Sequence, residues 1–127
     1  MKSNKKKNIM VIDDDPILGK LISKLLKNHT NYEVKYYSNV DKAMKRIKKQ
    51  KIDAVLLDWM MPGVSGIEVL MDLKEDKVTK DIPVFMLTQR KTGSDFEKAC
   101  AYGVDGYFTK PADPMYIKNR LMGFLNA

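Results

Sequence analysis

Two apolar runs of the chain end in aspartates. The first run is followed by Asp13, Asp14 and Asp15 in the stretch NIMVIDDDP, and a later run, IDAVLLD, ends in Asp58. Two carboxylates held about 4 Å apart repel by about 1 kcal/mol in water, and by several times that near a protein surface. A cation among them removes this repulsion, and so few hard oxygen ligands suit Mg²⁺. The pattern predicts a magnesium site built from Asp13, Asp14 and Asp58.

A hydroxyl and an amine end the two remaining apolar runs. IPVFMLT ends in Thr88, and GYFTK ends in Lys110. A carboxylate such as Asp58 can act as a nucleophile and form an acyl phosphate. A metal ion and the Lys110 ammonium would neutralise the phosphoryl oxygens, and the Thr88 hydroxyl would donate to one of them. Each residue alone has an ordinary structural explanation, but their occurrence on successive strand ends predicts phosphoryl transfer.

The elements that must position these groups alternate between apolar runs and helical patterns. Five β-then-α units indicate an α/β fold, in which a doubly wound parallel sheet is covered by helices on both faces. Ligands of such sheets bind beyond the carboxyl ends of the strands. The predicted strands span residues 9–12, 32–37, 52–58, 82–88 and 106–110.

Local signals predict where the helices begin. Proline follows both Asp15 and Asp113, as expected for an N-cap and a first helical residue. Ser38 and Ser94 are followed three residues later by an acid, which indicates capping boxes. The stretch WMMPGVSG is predicted to be a loop. The inward stripe of the first helix is predicted to be Leu18, Leu21, Ile22, Leu25 and Leu26.

Composition bounds the class of protein. The 127 residues fit one domain, predicted over 8–127 after a flexible basic tail at 1–7. The basic residues are 20 lysines against three arginines, and they lack the interleaved aromatics of single-strand readers, so nucleic-acid binding is disfavoured. No apolar run suits a membrane span or a secretory signal, which predicts a cytoplasmic protein. The single cysteine, Cys100, is predicted to be a small packed helix residue.

Over essentially its whole length the chain resembles the receiver domains of bacterial two-component response regulators. The matching stretches are VIDDDP, LLDWMMPGVSG, VFMLT and GYFTKP. The resemblance implies a flavodoxin-like (βα)5 fold with five parallel strands in the order 2-1-3-4-5. It also implies a phosphoprotein that takes a phosphoryl group from a histidine kinase or a phosphotransfer protein, with self-phosphorylation and autodephosphorylation as its only catalysis.

The resemblance further implies roles for individual residues. Asp58 is the phosphoacceptor, and Mg²⁺ is held by Asp13, Asp14, Asp58 and the backbone carbonyl of Met60. Thr88 is one of two residues that contact the phosphoryl group.

Lys110 is the other phosphoryl contact, and the Lys110–Pro111 bond is expected to be cis. Tyr107 is the switch aromatic whose rotamer follows Thr88. The face formed by the fourth helix, fifth strand and fifth helix would then repack for an unknown downstream protein. Gln89, Ala112 and Met60 depart from the common pattern. We hypothesise that Gln89 and Met60, with Arg90, alter water access and the lifetime of the phosphoryl group.

Two other functions remain open from the sequence. The spacing Asp13-x-Asp15 superficially resembles the nucleophile motif of dehalogenase-like phosphatases, although the late acidic pair of those enzymes is not evident. A protein-interaction module that needs no phosphorylation would keep the fold alone. The chain stops soon after the fifth helix, so it is expected either to act alone by docking or to belong to a longer regulator.

Overall fold

The computed structural model describes residues 6–61, 63–88 and 93–126; for Met60, Met61, Val64 and Asp95 it describes the backbone only. The strands in these ranges are β1 (Asn8–Ile12), β2 (Glu33–Tyr37), β3 (Ala54–Asp58), β4 (Met60–Met61), β5 (Val64–Ser65), β6 (Val84–Thr88) and β7 (Gly106–Thr109). The helices are α1 (Pro16–His29), α2 (Val40–Ile47), α3 (Gly66–Glu75), α4 (Ser94–Ala101) and α5 (Pro114–Leu125). Most of the predicted tail at 1–7 lies outside the described residues.

The main sheet is parallel, with the strand order β2-β1-β3-β6-β7. Because β4 and β5 belong to a separate small hairpin, this is the predicted order 2-1-3-4-5, which is confirmed. Ile12 at the end of β1 is in register with both Tyr37 of β2 and Leu57 of β3. The register therefore brings whatever follows Ile12 level with the ends of both neighbouring strands.

Helices cover both faces of the sheet, as the continuous apolar strands require. Met10 and Ile12 pack on one face with α2, α3 and α4. Ile9 and Val11 pack on the other face with α1 and α5. Neighbouring residues of a strand point to opposite faces, so a strand buried on both sides cannot alternate apolar with polar residues.

The aspartate–proline starts of two helices are confirmed. The Asp15 carboxylate accepts hydrogen bonds from the backbone N–H groups of Ile17 and Leu18, at 3.0 and 3.3 Å. Asp113 accepts from the N–H of Met115 at 3.0 Å. Both acids satisfy amides that the first helical turn leaves without a partner.

The prediction that Ser38 and Ser94 cap the second and fourth helices was wrong. Helix α2 is capped by Asn39, whose side chain accepts from the Lys42 N–H at 3.0 Å, rather than by Ser38. Helix α4 is preceded by Gly93, and no side chain caps it. Gly93 has φ of 108°, a conformation that favours glycine, and because it is the N-cap, Ser94 is the first residue of the helix and not its cap.

The predicted loop WMMPGVSG contains a short antiparallel hairpin. Met60 pairs with Ser65, and Met61 pairs with Val64. The Ser65 side chain then accepts from the Ile67 N–H at 3.3 Å and caps α3. Two short strands were missed because two-residue pairings carry no periodicity.

Two helices turn their apolar residues differently from the prediction. In α1, Ile22 and Leu26 are buried, but Leu21 is 47% exposed. In α4, Cys100 is exposed, because the neighbouring Ala99 occupies the buried position against the sheet. Among the described helices, none has both the length and the apolar composition needed to cross a bilayer.

Candidate functional site

Three carboxylates meet at the carboxyl ends of β1 and β3. Asp13 and Asp14 directly follow β1, and Asp58 is the last residue of β3. Asp13 and Asp58 are buried, at 0% and 2% exposed, and Asp14 is half-buried. One oxygen from each of the three lies within 4.8 Å of the others. The structure thus brings together the three acids that the sequence nominated.

Asp13 is held in place through three of its four polar atoms. Its backbone N–H donates to the Tyr37 carbonyl at 3.1 Å, and its backbone carbonyl accepts from the Tyr36 hydroxyl at 2.7 Å. Its Oδ1 accepts from the Asp15 N–H at 2.9 Å. Its Oδ2 is buried and has no hydrogen-bond partner within the described part of the chain. This oxygen is the one left for a ligand.

Burial, and to a smaller extent the proximity of the acids, makes the ionisation of Asp13 and Asp14 costly. Burial raises the pKa of Asp13 to about 7; the Asp15 N–H opposes this rise, and the Asp58 charge adds to it. Burial also raises the pKa of Asp14, and the hydrogen bond and charge of Asp58 raise it further. A cation would favour the ionised forms of both groups.

The donor set fits Mg²⁺. All the side-chain ligands are carboxylate oxygens, two of the residues are buried, and the Asp13 Oδ2 lacks a partner. Mg²⁺ prefers oxygen, keeps several waters and needs only one or two protein carboxylates beside a phosphate. The half-buried Asp14 leaves the site accessible from solvent.

Lys110 brings a positive charge to the same place from the end of β7. Its Nζ lies 2.8 Å from Asp58 Oδ1, and only 21% of its side chain is exposed. Its backbone N–H donates to the Thr88 carbonyl at 2.7 Å, which ties the end of β7 to the end of β6. The Lys110–Pro111 bond is cis, as expected.

The other predicted site residues that the structure describes lie on β6, on β7 and in the hairpin. Thr88 is the buried last residue of β6. Tyr107 of β7 is 40% exposed and packs edge-to-face on Phe96 of α4, with ring centroids 4.9 Å apart. Met60 begins the hairpin just after Asp58, and metal coordination by its carbonyl stays a prediction. Gln89 and Arg90, by contrast, lie outside the described residues.

Two residues important for the geometry were not singled out in the sequence. A Cβ at Gly66 would lie 2.6 Å from the Asp58 carbonyl oxygen and 2.7 Å from the Trp59 Cα, so only glycine lets α3 start this close to the site. The glycine in WMMPGVSG was a usable signal. Tyr36 gave no signal, because its contact with Asp13 depends on the pairing of β1 with β2.

Comparison with known proteins agrees with this geometry. The family model described as "Response regulator receiver domain" matches residues 9–122. The phosphate regulon transcriptional regulatory protein PhoB of Pseudomonas aeruginosa is 37% identical over 94% of this chain and 52% of its own length. The chain therefore spans about half the length of this relative.

A shorter relative matches over nearly all of both chains. The chemotaxis protein CheY-3 of Vibrio cholerae is 30% identical over 93% of this chain and 91% of its own length. Among solved structures, the receiver domain of the sensor histidine kinase PA1611 from Pseudomonas aeruginosa, with a magnesium ion coordinated in its active-site cleft, superposes with a TM-score of 0.83. It is 20% identical, and the match covers 97% of this chain and all of that one. The chain belongs to the response regulator receiver domain family.

Proposed function

We propose that Asp58 accepts a phosphoryl group and that the acids beside it hold Mg²⁺. The observation that carries the proposal is the position of Asp58. Its buried carboxylate contacts the Lys110 ammonium at 2.8 Å and shares a cluster of oxygens within 4.8 Å with Asp13 and Asp14. A nucleophile, a fixed cation and a second cation site thus lie within reach of one phosphoryl group.

The reaction proposed is a direct transfer. A carboxylate oxygen of Asp58 bonds to phosphorus while the bond from phosphorus to a histidine nitrogen of the donor breaks, and the electron pair of that bond stays on the nitrogen. Lys110 lies close enough to Asp58 to neutralise phosphoryl oxygens as they arrive. Thr88, at the end of the neighbouring strand, is the proposed hydroxyl donor to the same group.

The proposed metal ligands are Asp13, Asp14, Asp58 and the Met60 carbonyl. When bound, Mg²⁺ would offset the negative charge shared by the carboxylates and the phosphoryl oxygens. Asp13 is the best prepared ligand, because its backbone and one carboxylate oxygen are already fixed by neighbours. The magnesium described in the structure of the PA1611 receiver supports the choice of metal.

The proposed readout is a change in the face formed by α4, β7 and α5. Tyr107 lies on β7 two residues before Thr109 and contacts Phe96 of α4, so a movement of its ring would reach the packing of α4 directly. A histidine kinase or phosphotransfer protein is the proposed donor. A protein that recognises the repacked face is the proposed target.

The direct test is incubation of the full chain with acetyl phosphate and Mg²⁺, followed by intact-mass measurement. We expect a gain of one phosphoryl group that needs Mg²⁺ and is lost in Asp58→Asn. Asp53→Asn, which changes an acid before the same strand, should still gain the group.

Other results would contradict the proposal. A phosphoryl group retained by Asp58→Asn would move the acceptor elsewhere. Sustained release of phosphate from a phosphomonoester would favour a phosphatase. Absence of any mass gain in the wild-type chain, together with absence of Mg²⁺ binding, would favour an interaction module that needs no phosphorylation.

A further inference from the structure

Tyr36 is connected to the acidic site although it lies on the edge strand β2. Its hydroxyl donates to the backbone carbonyl of Asp13 at 2.7 Å. The next residue, Tyr37, accepts the Asp13 N–H through its own carbonyl at 3.1 Å. The end of β2 therefore holds the Asp13 backbone from both its donor and its acceptor side. Of these two contacts, only the one from Tyr36 is made by a side chain.

We propose that Tyr36 is a positioning residue for Mg²⁺: its hydroxyl fixes the Asp13 backbone so that the unpartnered Oδ2 faces the metal site. This inference rests on the proposed magnesium site. Oδ1 of Asp13 is occupied by the Asp15 N–H at 2.9 Å, so rotation of the carboxylate is already restricted. With the backbone carbonyl also held, Oδ2 remains for a ligand. Outer-shell hydrogen bonds made to the ligating group itself commonly contribute about 10- to 100-fold to affinity. Because Tyr36 bonds the Asp13 backbone and not its carboxylate, we expect a smaller contribution.

Gly19 provides the space that this arrangement needs. A Cβ at position 19 would lie 2.3 Å from Tyr36 Cε1 and 2.9 Å from its Cζ. The three nearest atoms all belong to the tyrosine ring and none to the backbone, so an added methyl would displace the ring and not the helix backbone. The displaced ring would carry its hydroxyl away from Asp13. Gly19 and Tyr36 therefore affect the proposed metal site through the same contact, the hydrogen bond from the Tyr36 hydroxyl to the Asp13 carbonyl.

The test is calorimetric titration of the full chain with Mg²⁺ alone, with thermal unfolding measured in the absence of Mg²⁺. Tyr36→Phe should weaken Mg²⁺ binding by about fivefold, because it removes one hydrogen bond of ordinary strength. Tyr37→Phe is the matched control, since the side-chain hydroxyl of Tyr37 makes no hydrogen bond to the described residues and its backbone carbonyl is retained. Its Mg²⁺ affinity should stay within about twofold of the wild type.

Gly19→Ala gives a second, independent test. It keeps both hydroxyls and removes a glycine from a helix, which by itself favours folding by roughly 0.5–1 kcal/mol. Mg²⁺ affinity should nevertheless fall by about fivefold, as in Tyr36→Phe. In the double variant the two losses should not add, since both break the same contact.

Several outcomes would overturn the inference. Unchanged Mg²⁺ affinity in Tyr36→Phe would do so, as would an equal loss in Tyr37→Phe. A loss of thermal stability without a loss of affinity would show a merely structural contact. Fully additive losses in the double variant would separate Gly19 from Tyr36. If the wild-type chain itself binds no Mg²⁺, the proposed metal site fails, and this result is distinct from all the others.

Discussion

The two ends of the parallel sheet use the same residue type in opposite ways. At the amino end, Asp53 precedes β3; its carboxylate accepts the Asn8 N–H at 2.7 Å, and its own N–H donates to the Asn8 carbonyl at 2.8 Å. Asp105 precedes β7 and forms the same pair of bonds with Val84, both at 2.8 Å. Each acid thus closes a ring with the first residue of a neighbouring strand.

At the carboxyl end three acids face one another instead. Asp13 keeps a buried oxygen without a described partner, and among the described residues Lys110 is the cation paired with its cluster with Asp14 and Asp58. Asp53 and Asp105 at the amino end are satisfied within the fold, whereas Asp13 at the carboxyl end keeps one oxygen for a ligand. The difference teaches that a buried carboxylate oxygen without a partner, and not the presence of aspartate alone, distinguishes the carboxyl end of this sheet.

The largest effect is expected from closing the tight approach at the carboxyl end. Gly66→Ala should lower the free energy of unfolding by about 2–3 kcal/mol, because the new methyl would meet the backbone of Asp58 and Trp59, which cannot move aside. Gly106→Ala, near the amino end, should cost less, since its methyl would meet only the Phe85 ring at 2.8 Å. Chemical denaturation measures both. Equal costs would mean that the carboxyl end is no more tightly packed than the amino end.

The next effect separates ligand binding from stability. Asp13→Asn should weaken Mg²⁺ binding by more than the roughly 10- to 100-fold typical of outer-shell partners, because it removes a direct ligand. The same variant should leave the metal-free protein as stable as the wild type or more stable, since it removes a buried charge and also its repulsion with Asp58.

Asp105→Asn is the matched change at the amino end. It should lower the free energy of unfolding by about 1–2 kcal/mol, because it weakens the bonds to Val84 and Lys74, and leave Mg²⁺ affinity unchanged. Calorimetry measures the Mg²⁺ affinity of both variants, and chemical denaturation measures their free energies of unfolding. If the two variants lost Mg²⁺ affinity and stability to the same extent, the distinction between the two ends of the sheet would be wrong.

The third effect is a dependence on pH. Because burial raises the folded-state pKa of Asp13 to about 7 from an ordinary value of 3.8, the folded metal-free chain binds more protons than the unfolded chain between these values. Its stability should therefore fall as the pH rises from 3.8 to about 7. Mg²⁺ affinity should instead rise with pH over this range, since the ion competes with a proton. Below the pKa of Asp13, each unit of lower pH should weaken Mg²⁺ binding by up to about tenfold. Asp13→Asn should flatten both profiles, and a wild-type protein without either slope would contradict the assignment.

The smallest effect concerns the two lysine–aspartate pairs. Lys74→Met breaks the partly exposed 3.4 Å pair with Asp105 and should cost about 1 kcal/mol of stability or less, with phosphorylation unaffected. Lys110→Met removes the cation 2.8 Å from Asp58 and should slow phosphorylation by acetyl phosphate. Mass spectrometry over time compares the two variants. Equal phosphorylation rates would show that Lys110 also has only a structural role.

Much of this could be predicted from the order of residues. The apolar runs ending in Asp58 and Thr88 defined buried parallel strands and the groups at their carboxyl ends, because a strand buried on both faces has little room for polar residues. The aspartate–proline pairs located the starts of α1 and α5. These features depend on residues close together in the chain, so local patterns contain them.

Contacts between distant segments were decided only by the tertiary structure. The bond from Tyr36 to Asp13 requires the register of β1 with β2, and the approach of Gly66 to Asp58 requires the path of the chain into α3. The choice of Asn39 and Gly93 over neighbouring serines, and of Ala99 over Cys100, also depended on how each helix meets the sheet. Sequence alone determined which groups stand at the strand ends; packing determined which of their atoms are satisfied, because hydrogen-bond partners far apart in the chain are assigned only when the strands are in register.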